Sequence, residues 1–200
     1  MVRLTIGIDM KTVLRPALVL FVTLSLICGV LYPYLVTGIG QLAFSGEANG
    51  SLITQNGKLV GSSLIGQSFS SPIYFWGRPS ATSPMPNNPT ASSGSNLSPS
   101  NPALIDAIKG RLDALRAADP SNTSPVPVDL VTASASGLDP DISIAAAEFQ
   151  SARVGRARHI SKEEVQALIR KEAMPQYFGF FGEPRVNVLA LNLLLDQSTH

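Results

Sequence analysis

The sequence is poor in sulfur, imidazole and charge. One cysteine, Cys28, and two histidines, His159 and His200, occur in 200 residues. A His/Cys metal site and a disulfide framework are thereby excluded. Charged residues make up 14% of the chain, against about 25% in an ordinary soluble domain. That shortage excludes a highly charged disordered tail, a nucleic-acid binder driven by basic charge and a charge-laced coiled coil. Neither a G-x-S-x-G elbow nor a G-x-x-x-x-G-K-[ST] phosphate loop is present. The shortage of charge is local. Residues 16–46 and 79–105 carry none, while about one residue in five is charged elsewhere.

The first charge-free stretch runs PALVLFVTLSLICGVLYPYLVTGIG from Pro16 to Gly40. About 20 apolar residues suffice for an α-helix to cross a hydrocarbon core about 30 Å thick. Pro16 is expected in the first helical turn, where its missing N–H is harmless. Tyr32 and Tyr34 fall near the far end, where amphipathic rings favour the headgroup level. The run is longer than the apolar region of a cleaved signal peptide, and Gly38-Ile39-Gly40 is a poor cleavage site, so an uncleaved anchor is expected. Arg3, Lys11 and Arg15 precede the span against Asp9 alone. The positive-inside rule then places residues 1–15 in the cytoplasm and residues 41–200 outside it. The fold class expected is a single N-terminal transmembrane α-helix, residues 16–40, followed by a mixed α+β extracytoplasmic domain.

Residues 41–200 are enough to bury a sizeable core. Ser51–Thr54 and Lys58–Val60 flank Asn56-Gly57, a preferred hairpin turn. Ile65–Phe69 reads as another short strand, and Val128–Thr132 as one more. The second charge-free stretch, residues 79–102, is rich in Pro, Ser, Asn, Thr and Gly. It reads equally as a flexible linker and as a polar loop ordered by side-chain turns. Helices are expected after an Asn101 or Ser100 cap, after Ser143 as far as Arg158, and after the capping box Ser161–Glu164. Arg185–Asp196 reads as helix.

Candidates for chemistry are few. Asp139 and Asp141 bracket Pro140, either as acid/base groups or as partners of a helix N-terminus. The run Arg153–His159 reads as a solvated helix end, an anion site or a salt-bridged contact with another protein. Tyr74, Phe75 and Trp76 read as core or, if exposed, as an interface anchor. No catalytic and no metal-ligating residue is assigned.

Several segments in order resemble one family. They are Arg15-Pro16 with the span; Gly66–Phe69 leading into Tyr74-Phe75-Trp76-Gly77-Arg78-Pro79-Ser80; Ala91–Leu97 with Ser100-Asn101-Pro102; and Pro127–Thr132. Ser134–Pro140, Ala145–Ala147 with Gln150, Arg153-Val154 and Ala157-Arg158, and Gly182–Leu189 with Leu191–Leu193 complete the match. Together they resemble the C subunit of the bacterial Kdp-type potassium-transporting P-type ATPase. Ser93 and Ser98 stand where that family commonly has Gly.

The resemblance implies a non-catalytic accessory subunit of a high-affinity potassium uptake complex, in the bacterial inner membrane. Its partners would be a potassium-conducting subunit, a P-type ATPase subunit and a small stabilising peptide. The sequence lacks a D-K-T-G phosphorylation motif, which fits a helper. The family also suggests a catalytic chaperone that raises ATP affinity, with Ser134, Ser136, Gly137 and Gln150 likened to a nucleotide signature. Cofactor use is therefore expected to be ATP through the complex, with none bound directly. Residues 134–150 fall outside the cytoplasm on the charge rule, away from ATP, so interface stabilisation is the favoured role. Tyr74, Phe75, Trp76, Arg78, Ser95 and Asn96 are the expected partner-interface residues. The rival readings are a membrane-anchored envelope hydrolase and an anchored solute-binding domain.

Overall fold

A computed structural model describes residues 10–198. Arg3, Asp9 and His200, used in the sequence reading, lie outside them. The chain forms two compact units, Met1–Ser51 and Leu52–His200.

The first unit is helical. Helix α1 covers Met10–Leu26, a π-turn covers Ile27–Leu31, α2 covers Tyr32–Ala43 and the short α3 covers Ser45–Ala48. Thr12–Ala43 forms one candidate span with mean hydropathy 2.2 and none of its hydropathy window buried. At 1.5 Å per residue it exceeds the roughly 30 Å hydrocarbon core, so its ends extend beyond it. Pro16 is not in the first turn, because the helix already starts at Met10. The π-turn has a cause in the sequence. Pro33 has no N–H, and in a regular helix its ring would press on the carbonyl of Gly29, four residues back. The wider turn falls on that stretch, and Tyr32 N–H donates to the Ile27 carbonyl.

In the second unit, strands β1 (Leu52–Gln55) and β2 (Lys58–Ser62) form the expected antiparallel hairpin. Asn56 and Gly57 turn it with φ of 51° and 75°, the left-handed pair that a tight hairpin needs. Helix α4 (Pro102–Ala118) is capped by Asn101, α5 (Ile144–Arg158) by Ser143 and α6 (Lys162–Glu172) by the Ser161/Glu164 capping box. A two-stranded antiparallel ribbon pairs β3 (Asp141–Ser143) with β4 (Arg185–Asn187), and α7 (Val188–Ser198) follows directly. The core gathers Phe75, Ile142, Val154, Val165, Ile169, Val186, Leu191 and Leu195 from these elements.

Three expectations change. Ile65–Phe69 is not a strand; Gln67 donates instead to the Val60 carbonyl at 2.8 Å. Val128–Leu130 is a 3-10 turn rather than a strand, stabilised by Leu130 N–H on the Pro127 carbonyl at 3.1 Å. Arg185–Asp196 begins as strand, because Arg185–Asn187 finds a partner in Asp141–Ser143 before the helix starts.

Candidate functional site

The segment from Pro72 to Trp76 runs without a strand partner, yet its backbone is hydrogen-bonded. Phe75 N–H donates to Asn192 Oδ1 at 2.8 Å, and Asn192 Nδ2 returns a bond to the Phe75 carbonyl at 3.0 Å. Trp76 N–H donates to Gln150 Oε1 at 2.8 Å, and Gln150 Nε2 returns a bond to the Trp76 carbonyl at 3.1 Å. Each side-chain amide thus offers one acceptor and one donor to one residue, as a residue of a neighbouring strand would. Asn192 belongs to α7 and Gln150 to α5. The segment is therefore held by α7 on one side and α5 on the other.

Two arginines extend the clamp. Arg153, buried on α5, donates to the carbonyls of Pro72 (2.6 Å) and Tyr74 (3.1 Å) and to Gln150 Oε1 (2.7 Å). Its guanidinium lies 4.3 Å from the Trp76 ring centroid, within cation–π range. Burial lowers the Arg153 pKa to about 10, which still leaves it charged near neutral pH. Arg158 donates to the Ile73 carbonyl at 2.7 Å and pairs with Asp196 at 2.7 Å. Asp196 also accepts from the Tyr74 hydroxyl at 3.1 Å. Burial, with Asp196 adding to it, raises the Tyr74 pKa. Arg156 pairs with the buried Asp119. Arg153 and Arg158 of the basic run thus form an internal clamp, while Arg156 and His159, the latter with φ of 58°, are exposed.

The second charge-free stretch is an ordered loop seated on Ser134–Leu138. Ser80 Oγ donates to the Gly137 carbonyl at 2.6 Å and accepts from Asn87 N–H at 2.9 Å. Thr82 Oγ1 donates to the Met85 carbonyl and accepts from Asn88 N–H, while Asn88 Oδ1 accepts from Thr90 N–H. Ser93 N–H donates to the Ser136 carbonyl at 2.9 Å. Gly137 is obligatory at this seat. Its φ is 68°, and a Cβ there would lie 2.6 Å from both the Ser93 carbonyl oxygen and Thr82 Cγ2.

Beside the loop, a cleft of about 620 Å³ is lined by Arg78, Asp129, Asp139, Asp141, Glu183 and Arg185 among others. Its charges are largely matched. Arg78 pairs with Asp139 at 3.0 Å and Arg185 with Asp141 at 2.8 Å. Asp129 accepts from Ser143 N–H at 2.7 Å. Burial raises the Asp141 pKa, and the Asp139 charge acts in the same direction.

The sequence candidates therefore separate. Phe75 is fully buried, so any part it has in an interface is indirect. Tyr74 and Trp76 are half-buried in the clamp, Arg78 borders the cleft, and Ser95 and Asn96 are exposed on the loop. Gln150 is 1% exposed, and its amide is saturated, because Arg153 and Ala146 take the valences that Trp76 leaves. Ser134 is buried with its hydroxyl accepting from Gly137 N–H. Ser136 is exposed, its hydroxyl accepting from Leu138 N–H at 3.1 Å. Sequence reasoning missed Asn192 and Arg158 as structural partners of the aromatic segment. Both lay within segments that carry the family resemblance, but neither there nor in a polar residue on an apolar stripe was a partner for the aromatic segment named.

Comparison with known proteins places these features in one lineage. Residues 14–197 match the family described as "KdpC: K+-transporting ATPase, c chain". The "Potassium-transporting ATPase KdpC subunit" of Herminiimonas arsenicoxydans is 72% identical over 94% of this chain and 99% of its own length. The protein of the same name from Janthinobacterium sp. (strain Marseille) is 69% identical over 94% of this chain and all of its own. The one from Paraburkholderia phytofirmans is 56% identical over 96% of this chain.

Proposed function

We propose, from the premise that this chain belongs to the KdpC family of K+-transporting ATPase c chains, that it is a membrane-anchored assembly subunit without catalytic chemistry of its own. It joins the potassium-conducting and ATPase subunits and stabilises their contact. The observation that carries this reading is the commitment of the polar groups to the fold. Asp119, Asp139, Asp141 and Asp196 are each paired with an arginine, and Gln150 and Asn192 hold backbone. Ser95 and Asn96 on the ordered loop remain exposed. A preformed polar loop suits recognition of a protein partner because its ordering cost is met during folding.

Topology follows the flanking charge. Arg3, Lys11 and Arg15 keep the N-terminal side cytoplasmic, and the domain lies outside. Interface stabilisation is favoured over direct ATP contact, because Ser134 and Gln150 of the family's nucleotide suggestion are buried and hydrogen-bonded within the fold.

Tagged chain purified from its own membranes tests the proposal. The wild type should bring down the ATPase and potassium-conducting subunits. Ser95→Arg and Arg78→Ala should each lower that yield several-fold while the thermal melt of Ser95→Arg stays unchanged. Undiminished co-elution in both variants, with normal growth at limiting potassium, would sink the reading.

A further inference from the structure

A second surface is unlike the rest of the domain. Residues 174–185, between α6 and β4, form a narrow hairpin whose tip carries Tyr177, Phe178, Phe180 and Phe181. These rings are 65%, 88%, 68% and 58% exposed. The sequence from Ala173 to Gly182 contains no charge, while Arg170, Lys171 and Arg185 stand at its base beside Glu172 and Glu183. The tip is not loose. Tyr177 and Phe181 exchange both backbone hydrogen bonds at 2.9 Å, Met174 and Arg185 do so at the base, and Gln176 Nε2 donates to the Gly182 carbonyl at 2.7 Å. Phe178 holds φ of 53°, a conformation a bulky residue rarely adopts. Strain of that kind is kept where the outward position of the side chain has a use.

We propose that this hairpin is a lipid-contacting finger, with its aromatic tip seated at the headgroup–acyl boundary of the membrane that holds the chain's own span. Tyr and Phe favour that boundary, and Arg170 and Lys171 on the last turn of α6 are the flanking cations that suit the phosphates, Arg185 being paired with Asp141. The span ends at Ala43 and the domain's first strand starts at Leu52. Residues 44–51 can bridge at most about 3.5 Å each, so the chain itself keeps the domain near a bilayer. A convex tip with this few side chains is also small for a stable protein contact, which draws on about 20–30 residues a side. The inference stands on the span and the hairpin, independently of the assembly role.

Full-length Phe178→Trp reconstituted in phosphatidylcholine/phosphatidylglycerol vesicles provides the test, with wild-type Trp76 emission as the baseline. The added emission should be blue-shifted. It should lose most of its intensity when lipids brominated at shallow acyl positions replace the ordinary ones, and less with deep bromination. Phe180→Asp/Phe181→Asp in the same background should abolish that quenching. Quenching by iodide supplied on both sides of the vesicle, with no response to brominated lipid, would overturn the proposal. Protection from both quenchers would also overturn it, pointing to a second copy of the chain as the occupant. Because the chain is tested alone, the outcome is separate from co-purification of the pump subunits.

Discussion

Gln150 and Asn192 do the work of missing strands, and their replacement should show it. Gln150→Leu removes four hydrogen bonds and leaves both backbone groups of Trp76 and one face of Arg153 without a partner. An unsatisfied buried polar group costs about 1–3 kcal/mol, so the loss should reach roughly 3 kcal/mol or more. The expected readout is a fall in melting temperature of order 10 °C, and Asn192→Leu should behave alike. Asp141 makes a prediction in pH. Its folded pKa is raised by burial above the ordinary value of about 3.9. Protonation therefore favours the folded state. The stabilisation is complete below the unfolded value and is lost as pH rises through the folded one. Melts of Asp141→Asn and wild type across that window should show wild type gaining on the variant as pH falls. A constant difference would argue against it.

At the level of elements, the sequence was most legible where a local rule decides structure. The caps at Asn101, Ser143 and Ser161 and the Asn56-Gly57 turn are set by residues next to one another, and all appear as read. It was least legible where the partner is distant. Arg185–Asn187 becomes a strand only because Asp141–Ser143 lies beside it, and no local pattern announces that pairing. The order of residues 79–102 was open for the same reason: its seat, Ser134–Leu138, lies far along the chain. The aromatic segment read as core or interface, and the structure divides it, with Phe75 inside and its neighbours at the edge. The loop and its seat should fail together. Gly137→Ala should destabilise the domain by more than 2 kcal/mol, roughly, since both left-handed φ and contact with backbone oppose a Cβ. Amide exchange at Asn87, Asn88 and Ser93 should accelerate in that variant under conditions where α5 stays protected.

For the whole molecule, the division at Ser51/Leu52 separates attachment from fold. A chain beginning at Leu52 retains every core residue named above and should melt cooperatively, yet it should be recovered without detergent. Failure of that fragment to fold would mean that the helical unit contributes to the domain's stability. The clamp on residues 72–76 also bears on how the protein is made. Its two sides are closed by Gln150 and Asn192, and Asp141–Ser143 waits for Arg185–Asn187. The ribosome must therefore deliver nearly the entire domain before residues 72–76 can dock. The apolar helix emerges long before that. Under the proposed topology the helix thus reaches the bilayer while the domain is still unfolded, and a chain that stops short of Asn192 lacks one side of the clamp on residues 72–76.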